Sequence, residues 1–365
     1  MKIAAQKLMF FLLYLQQKKY KKVILPPEQP RKILLVMCKW IGDTFWDMQG
    51  IPALQKKFPN TEIHVLTKPF SKFLFQGILP DENIHLTSHV ISDCRREPFD
   101  KSQWKMDLQK MKQLEPDLLI DFTETPFSAV FSALTGAKHR IGYDHLGRFS
   151  QLYTYRCHAE YGIHLSRRPM QLYIPLINEE LPFPQVIPQV SNPVEPGSDV
   201  MIFPGVGWKA KEYPAEKYRR IAEALSEKGY SICVAGSPKE LALCETIAGG
   251  VKNATVQIGT QEEMLRHLRS AKVCLSGDTG PAHLAAAMGV TAVTIFCGTN
   301  PELCGPKGQN VIILQTDCPD RPKEKESFCP ANRLHECCRC CFMAIDPENV
   351  AGRILKSICP SMNDK

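Results

Sequence analysis

The sequence predicts an α/β fold in two domains, and three observations predict it. Short apolar runs, of the kind buried on both faces in parallel sheets, alternate with helical stretches in each half of the chain. A proline-dense stretch from Leu181 to Gly197 parts the halves. Its Pro182, Pro184, Pro188, Pro193 and Pro196 exceed what a helix or a central strand tolerates. The chain has 365 residues, 44% hydrophobic and 23% charged, which suits two globular domains with enough chain for a core in each. Two βα-rich halves on such a linker mean two Rossmann-like domains facing each other across a cleft.

Residues 1–30 form a basic, apolar extension. Residues 1–32 hold Lys2, Lys7, Lys18, Lys19, Lys21, Lys22, Arg31 and Lys32 against one acid, Glu28. The apolar run Leu8 to Leu15 is too short to span a bilayer, which takes roughly 20 residues. No small-residue cleavage site follows it, so a signal peptide is not expected. The segment reads equally as a helix on an anionic membrane surface or as one packed on the protein body. The net charge of +7 is modest for this length, and no nucleic-acid partner is expected from it.

The N-terminal domain, 31–180, opens with the apolar strand RKILLVMC, followed by a turn at Lys39–Asp43. A helical stretch runs on to Phe58, and Pro52 inside it either kinks or restarts it. Strands are expected near Glu62–Leu66, Asp117–Ile120 and Arg140–Tyr143, with a helix over Ser128–Thr135. The linker occupies 181–197. The C-terminal domain, 198–345, restarts with a strand at Val200–Phe203, a helix from Ala215 and a strand over Ser231–Ala235. Helices at Leu241–Ile247 and Gln261–Ser270 lead into VCLSGDTGPAHLAAAMGVTAVTIFCGTNP, which reads as strand, polar turn, helix, strand. Val311–Leu314 is one more strand. A last helix and tail, 346–365, begin Asp346-Pro347-Glu348: a cap, a proline at the first helical position and an acid in the first turn.

The turn Ser276-Gly277-Asp278-Thr279-Gly280-Pro281 opens a helix, where N–H groups without helical partners and the helix dipole favour an anion. Thr279 adds a hydroxyl and Gly280 admits close approach to the backbone. By local physics alone the turn reads equally as a capped helix with no ligand. Asp43 stands beyond the C-terminal end of the first strand, where α/β folds place ligands; it reads equally as a helix cap. Lys211 follows the first strand of the second half, and taken by itself it reads as a solvated loop lysine. Glu240 after SICVAG reads as a first-turn acid. His283, on the first turn of the signature helix, has no second ligand at metal-binding spacing.

The stretch Asp278-Thr279-Gly280-Pro281, His283-Leu284-Ala285-Ala286-Ala287 and Gly289 resembles the D-[ST]-G-P-x-H-L-A-A-A-x-G signature of glycosyltransferase family 9, the heptosyltransferases of bacterial lipopolysaccharide core assembly. Gly42-Asp43, Pro52-Ala53-Leu54 and Lys56-Lys57-Phe58-Pro59 resemble the family's opening, and Lys211 with Tyr213-Pro214 its K-x-[WY]-P element. The resemblance covers roughly Arg31 to Leu355. It implies a GT-B fold, with the acceptor on the first domain and the nucleotide-sugar on the second. It gives Asp43 the role of general base. It places Lys211, Asp278, Thr279 and Gly280 at the donor diphosphate and Glu240 near the donor ribose; His283 is a donor-side candidate that reads equally as a structural histidine of the turn. Many members carry hydroxyls just before that lysine, where this chain has Val206 and Gly207.

The implied reaction is an inverting transfer of a heptose-like sugar from a nucleotide-sugar donor, ADP-heptose, to a hydroxyl of a lipopolysaccharide core or related lipid-linked or oligosaccharide acceptor. No cofactor is expected, and no D-x-D metal motif occurs. The expected location is the cytoplasm, peripheral to the inner membrane. The alternatives are a protein O-heptosyltransferase with a cysteine-bound metal and a non-catalytic GT-B scaffold.

Fifteen cysteines are present. Cys38, Cys94, Cys157, Cys233, Cys244 and Cys274 read as small buried hydrophobes. Nine more lie between Cys297 and Cys359, and Cys329, Cys337, Cys338, Cys340 and Cys341 are the candidates for a structural metal. One related branch of the family holds an iron with four cysteines. Otherwise these thiols are expected to be reduced or opportunistically paired, with no disulfide framework.

Overall fold

The structure, a computed structural model, describes residues 26–87, 100–184, 186–189, 197–207, 211–317, 327 and 340–359. The basic extension, Cys94 and the candidates Cys329, Cys337 and Cys338 lie outside them, as does the side chain of Cys340. The chain divides into two compact units: residues 1–161 with 165–188, and residues 162–164 with 189–365.

Unit 1 holds a parallel sheet of β1 (Lys32–Met37), β2 (Glu62–Thr67), β3 (Ile84–Leu86), β4 (Leu118–Asp121), β5 (His139–Tyr143) and β6 (Tyr155–Cys157). Their spatial order is β3-β2-β1-β4-β5-β6. β1 is central, with Lys32 opposite Glu62 of β2 and Ile33 opposite Leu118 of β4, and it is buried from Ile33 to Met37. That two-sided burial is why it reads as an unbroken apolar run. Leu34, Val36, Leu66 and Leu119 pack with Met111 of α3 (Lys101–Gln113) and Phe131 of α4 (Pro126–Leu134).

Unit 2 repeats the plan with β7 (Val200–Phe203), β8 (Ile232–Gly236), β9 (Ala254–Ile258), β10 (Val273–Gly277), β11 (Thr291–Ile295) and β12 (Val311–Leu314). They are ordered β12-β11-β10-β7-β8-β9. Numbered within its own unit, each sheet reads 3-2-1-4-5-6. The order reverses between the first and fourth strands, at β1/β4 and at β7/β10, and the loops leaving the carboxyl ends of those strands are where such sheets hold ligands.

The helical stretch after β1 is two helices, α1 (Ile41–Asp47) and α2 (Ile51–Lys57), joined by a 3₁₀ turn over Met48–Gly50. Pro52 restarts the helix as its second residue, where a missing N–H costs nothing. Gly50 admits the ring of Tyr173, which a Cβ there would strike, and the Tyr173 hydroxyl donates to the Asp47 carbonyl at 2.6 Å. Tyr173 belongs to α5 (Met170–Ile177) and so pins the end of α1. Unit 2 adds α6 (Ala215–Glu227), α7 (Leu241–Ala248), α8 (Gln261–Ser270), α9 (Gly280–Ala287), α10 (Pro301–Cys304), α11 (Cys340–Ala344) and α12 (Pro347–Ile358). Asp346 caps α12 through the Asn349 N–H at 3.0 Å, as its sequence predicts. The Lys217 ammonium donates to the carbonyls of Met343 (2.6 Å), Ile345 (2.7 Å) and Phe342 (3.3 Å), and fastens the end of α11 to α6.

Cys297 and Cys341 are joined by a disulfide across 44 residues. Of the two states expected for these thiols, reduced or opportunistically paired, Cys297 and Cys341 take the second, which removes Cys341 from the metal candidates. Both sulfurs belong to the unit 2 core, where the end of β11 meets α11, a meeting that sequence spacing does not reveal. Cys38, Cys157, Cys233, Cys244 and Cys274 are free and buried, as read.

Candidate active site

In unit 2 the loops after β7, β10 and β8 bring the donor-side candidates to one sheet edge. Lys211, past β7, donates to Asp278 Oδ2 at 2.6 Å; the two side chains are 16% and 9% exposed. Asp278 follows β10 directly. Burial alone would raise its pKa, but the Lys211 charge and the His283 imidazole outweigh it and hold the carboxyl well below its usual range. His283 Nε2 stands 3.8 Å from Asp278 Oδ1, with the ring buried in the first turn of α9. Breaking such a pair by removing one partner costs about 3–5 kcal/mol, because the other charge stays buried.

Thr279 is the N-cap of α9, but its side chain makes no cap bond; among the described residues its hydroxyl donates to the Gly277 carbonyl, at 3.4 Å. Pro281 at the second helical position brings no N–H, and Gly280 precedes it. A helix start with its hydroxyl uncommitted to the cap, set beside a fixed ammonium, is chemically an anion seat. Glu240 spends Oε2 on Ser237, accepting from its N–H at 2.7 Å and its hydroxyl at 2.8 Å. A Cβ on Gly205 would collide with Glu240 Oε1, so glycine there lets the carboxylate lie against the β7 loop. At Gly207 a Cβ would meet nothing within 4 Å among the described residues, so the position where relatives carry a hydroxyl is open.

In unit 1, Asp43 lies inside the first turn of α1 rather than in the turn before it, and the N-cap is Trp40. The cap reading of Asp43 therefore falls away. Around it stands a charge cluster that the sequence reading did not foresee. Lys39 donates to Asp47 Oδ1 at 3.2 Å and to Glu124 Oε1 at 3.0 Å. The second Glu124 oxygen takes Arg168 at 2.8 Å and stands 3.6 Å from His145 Nε2. Burial opposes the Lys39 charge, but Asp47, Glu124 and Asp43 together keep it protonated. Burial pushes Asp47 well up despite Lys39, with Asp43 and Glu124 adding to the rise, and its Oδ2 is buried with no hydrogen-bond partner among the described residues. Burial would raise Glu124 too, but Lys39 and Arg168 outweigh it and bring the carboxyl down. Glu124 sits at φ 60°, in the left-handed region, which costs a non-glycine residue about 1–3 kcal/mol and clusters at functional sites.

These residues leave the ends of neighbouring strands: Lys39 and Asp43 after β1, Glu124 after β4, His145 after β5. Arg140 and Arg168 are both withdrawn from solvent. Arg140 is buried, donating to the carbonyls of Leu152 at 2.8 Å and Ala137 at 2.5 Å. Arg168 lies 5.4 Å from the ring centroids of both Tyr143 and Tyr161 while holding Glu124. Arg167 is exposed. Among the described residues no group of three or more His, Cys, Asp or Glu is arranged to hold a metal ion.

The model of "Glycosyltransferase family 9 (heptosyltransferase)" matches residues 107–333, more than half of the chain. Lipopolysaccharide heptosyltransferase 1 of Pseudomonas aeruginosa is 27% identical over 274 residues, covering 69% of this chain and 76% of its own. Lipooligosaccharide heptosyltransferase 2 of Haemophilus ducreyi is 21% identical over 318 residues, covering 78% and 88%. Among solved structures, the E. coli heptosyltransferase WaaC with ADP superposes with a TM-score of 0.69 at 19% identity, over 89% of this chain and 99% of that one. With its two parallel six-stranded units of the GT-B fold, the chain belongs to glycosyltransferase family 9 and is a glycosyltransferase.

Proposed function

We propose that the protein transfers a heptose from ADP-heptose, with inversion, to a hydroxyl of a lipopolysaccharide core. The observation that carries the reading is the Lys211–Asp278 pair at the β7/β10 switch point beside the start of α9. An ammonium held in place by a buried carboxylate, next to a helix N-terminus, suits the developing charge of a departing diphosphate. Asp43 takes the proton of the acceptor hydroxyl as its oxygen bonds to the heptose anomeric carbon. The bond from that carbon to the diphosphate breaks, and ADP leaves with the electron pair. Lys211, the Thr279 hydroxyl and the Gly280 N–H receive the diphosphate charge. The transition state is oxocarbenium-like, by chemical analogy with glycoside hydrolysis.

His283 and Asp278 act as positioning residues for Lys211, and Glu240 Oε1 faces the donor ribose. Nothing in this reading requires a metal. The relatives named above are lipopolysaccharide and lipooligosaccharide heptosyltransferases, which supports a core acceptor. No helix among the described residues is long and apolar enough to cross a membrane. The reading places the enzyme in the cytoplasm, with the basic extension of residues 1–30 on the anionic face of the inner membrane.

The test is incubation of the purified enzyme with labelled ADP-heptose and a membrane lysate from a strain lacking core heptose. The reading predicts label in the lipid fraction, abolished by Asp43→Ala. Label in a protein band would favour protein glycosylation, and label nowhere would favour a scaffold.

A further inference from the structure

Most large apolar side chains of unit 1 are buried, but Trp40 is 54% exposed. It is the N-cap of α1, one turn before Asp43, on the loop that leaves β1. Its ring stacks on Phe70, from the loop that leaves the neighbouring β2, with centroids 5.7 Å apart and planes 13° from parallel. Lys68 Nζ lies 5.1 Å from the Trp40 centroid and 5.5 Å from that of Phe70, which ties both rings to the end of β2. Phe70 covers one face of the indole, so the exposure falls on the other face and the edge.

An exposed tryptophan held flat at a sheet edge has a specific use. The C–H face of a sugar ring is apolar, and it lies well on an aromatic face with its negative quadrupole. Charged residues flank Trp40 in the fold: Lys39 and Asp43 on its own loop and helix, and Lys68, itself buried, at the next strand end. A single flat aromatic flanked by charged residues suits a ring with hydroxyls on its border and is too small and too polar for an acyl chain.

We propose that the open face of Trp40, held by Phe70 and Lys68, is the platform on which the acceptor's sugar ring stacks, so that its hydroxyl meets Asp43. The inference rests on the acceptor reading given above and deepens it. Trp40 is a substrate-contacting residue, and Phe70 and Lys68 are positioning residues.

The test is steady-state kinetics with ADP-heptose and deacylated, heptose-free core oligosaccharide as acceptor. Wild type is compared with Trp40→Ala and Trp40→Phe. Trp40→Ala is expected to raise the acceptor KM about three- to tenfold, the size of an aromatic stacking contact, and to leave the donor KM and the ADP-induced melting shift unchanged. Trp40→Phe restores the acceptor KM to within about twofold, since a flat ring suffices. Phe70→Leu, which keeps bulk but not the stack, moves the same constant in the same direction and stands in should Trp40→Ala not fold. An acceptor KM unchanged in Trp40→Ala, with wild type turning over, overturns the platform alone. A wild type that binds ADP yet never glycosylates this oligosaccharide overturns the acceptor reading, and the platform with it.

Discussion

The two units share one strand order and differ in what they place at the point where it reverses. Unit 2 sets a single buried ion pair, Lys211–Asp278, at the start of a helix. Unit 1 sets Lys39 among Asp43, Asp47 and Glu124, with Arg168 holding the far side of Glu124. The first arrangement has its carboxyl pulled down, which suits the proposed seat for a fixed anion. The second has more carboxyls than its lysine can satisfy and drives Asp47 up, which suits a place where a proton changes hands. The topology specifies where chemistry happens, and the loops decide which chemistry it is.

The largest expected effect separates the two ends directly. Asp43→Ala should cut transfer by about a thousandfold, in the range of general-base loss, while the ADP-induced melting shift stays intact. A variant that also loses ADP binding would break the division between the units.

Next comes Lys211→Ala. It should lower kcat by about a hundredfold, as losing one preorganised charge contact does, and abolish the ADP shift. It should also lower the melting temperature, because Asp278 is left buried and unpaired. Adding Asp278→Asn should restore stability without restoring ADP binding. A double variant no more stable than the single one would show that the pair does not carry the energy assigned to it.

The pH dependence sharpens the comparison through its sign. The Asp278 carboxyl is held below its ordinary 3.8, so its stabilisation is full above that value, declines as pH drops below it and is lost as pH falls through the lowered folded value. Asp121, at the end of β4, is pushed up to about 6 by burial, against the hydrogen bonds of Ser128, Tyr153, Thr123 and Ser132. Its contribution is full below its unfolded value and is lost as pH rises through about 6, for a cost on the order of 2–3 kcal/mol. Melting temperatures of wild type minus Asp278→Asn should therefore rise from pH 3 to 7. Wild type minus Asp121→Asn should fall over the same range. Slopes of the same sign would contradict the assignment.

Much of this architecture is legible in the sequence, and the failures have two physical causes, short edge strands and contacts between distant residues. β1, β7 and β10 are continuous apolar runs because they are central and buried on both faces. The donor turn is contiguous, from Ser276 to His283, so one short stretch displays it. The expected helix bounds hold to within two residues at α4 and α6, whose ends Thr125 and Pro214 mark. β3 and β6 are three-residue edge strands, too short for periodicity to show. The Lys39–Glu124–Arg168 chain and the Cys297–Cys341 bond join residues tens of positions apart. Parallel pairing and core packing bring them together, and no local pattern records that. Trp40 lies within the Lys39–Asp43 stretch that the sequence marks as a turn, but its stacking partner comes from another strand end.

The smallest expected effect lies away from both switch points. Lys217→Met removes three carbonyl contacts at the end of α11 and should cost about 1–2 kcal/mol in urea unfolding, with transfer kinetics unchanged. A change in kcat would tie the C-terminal segment to the donor site.

The most direct test of the central claim is a melting-temperature series for wild type and Lys211→Ala against ADP, GDP, UDP and CDP. A ligand that binds the folded protein alone raises the midpoint. The account predicts a rise with ADP that disappears in Lys211→Ala. No rise with any of the four, or a rise with ADP that survives the substitution, would contradict a diphosphate seat at the β7/β10 edge.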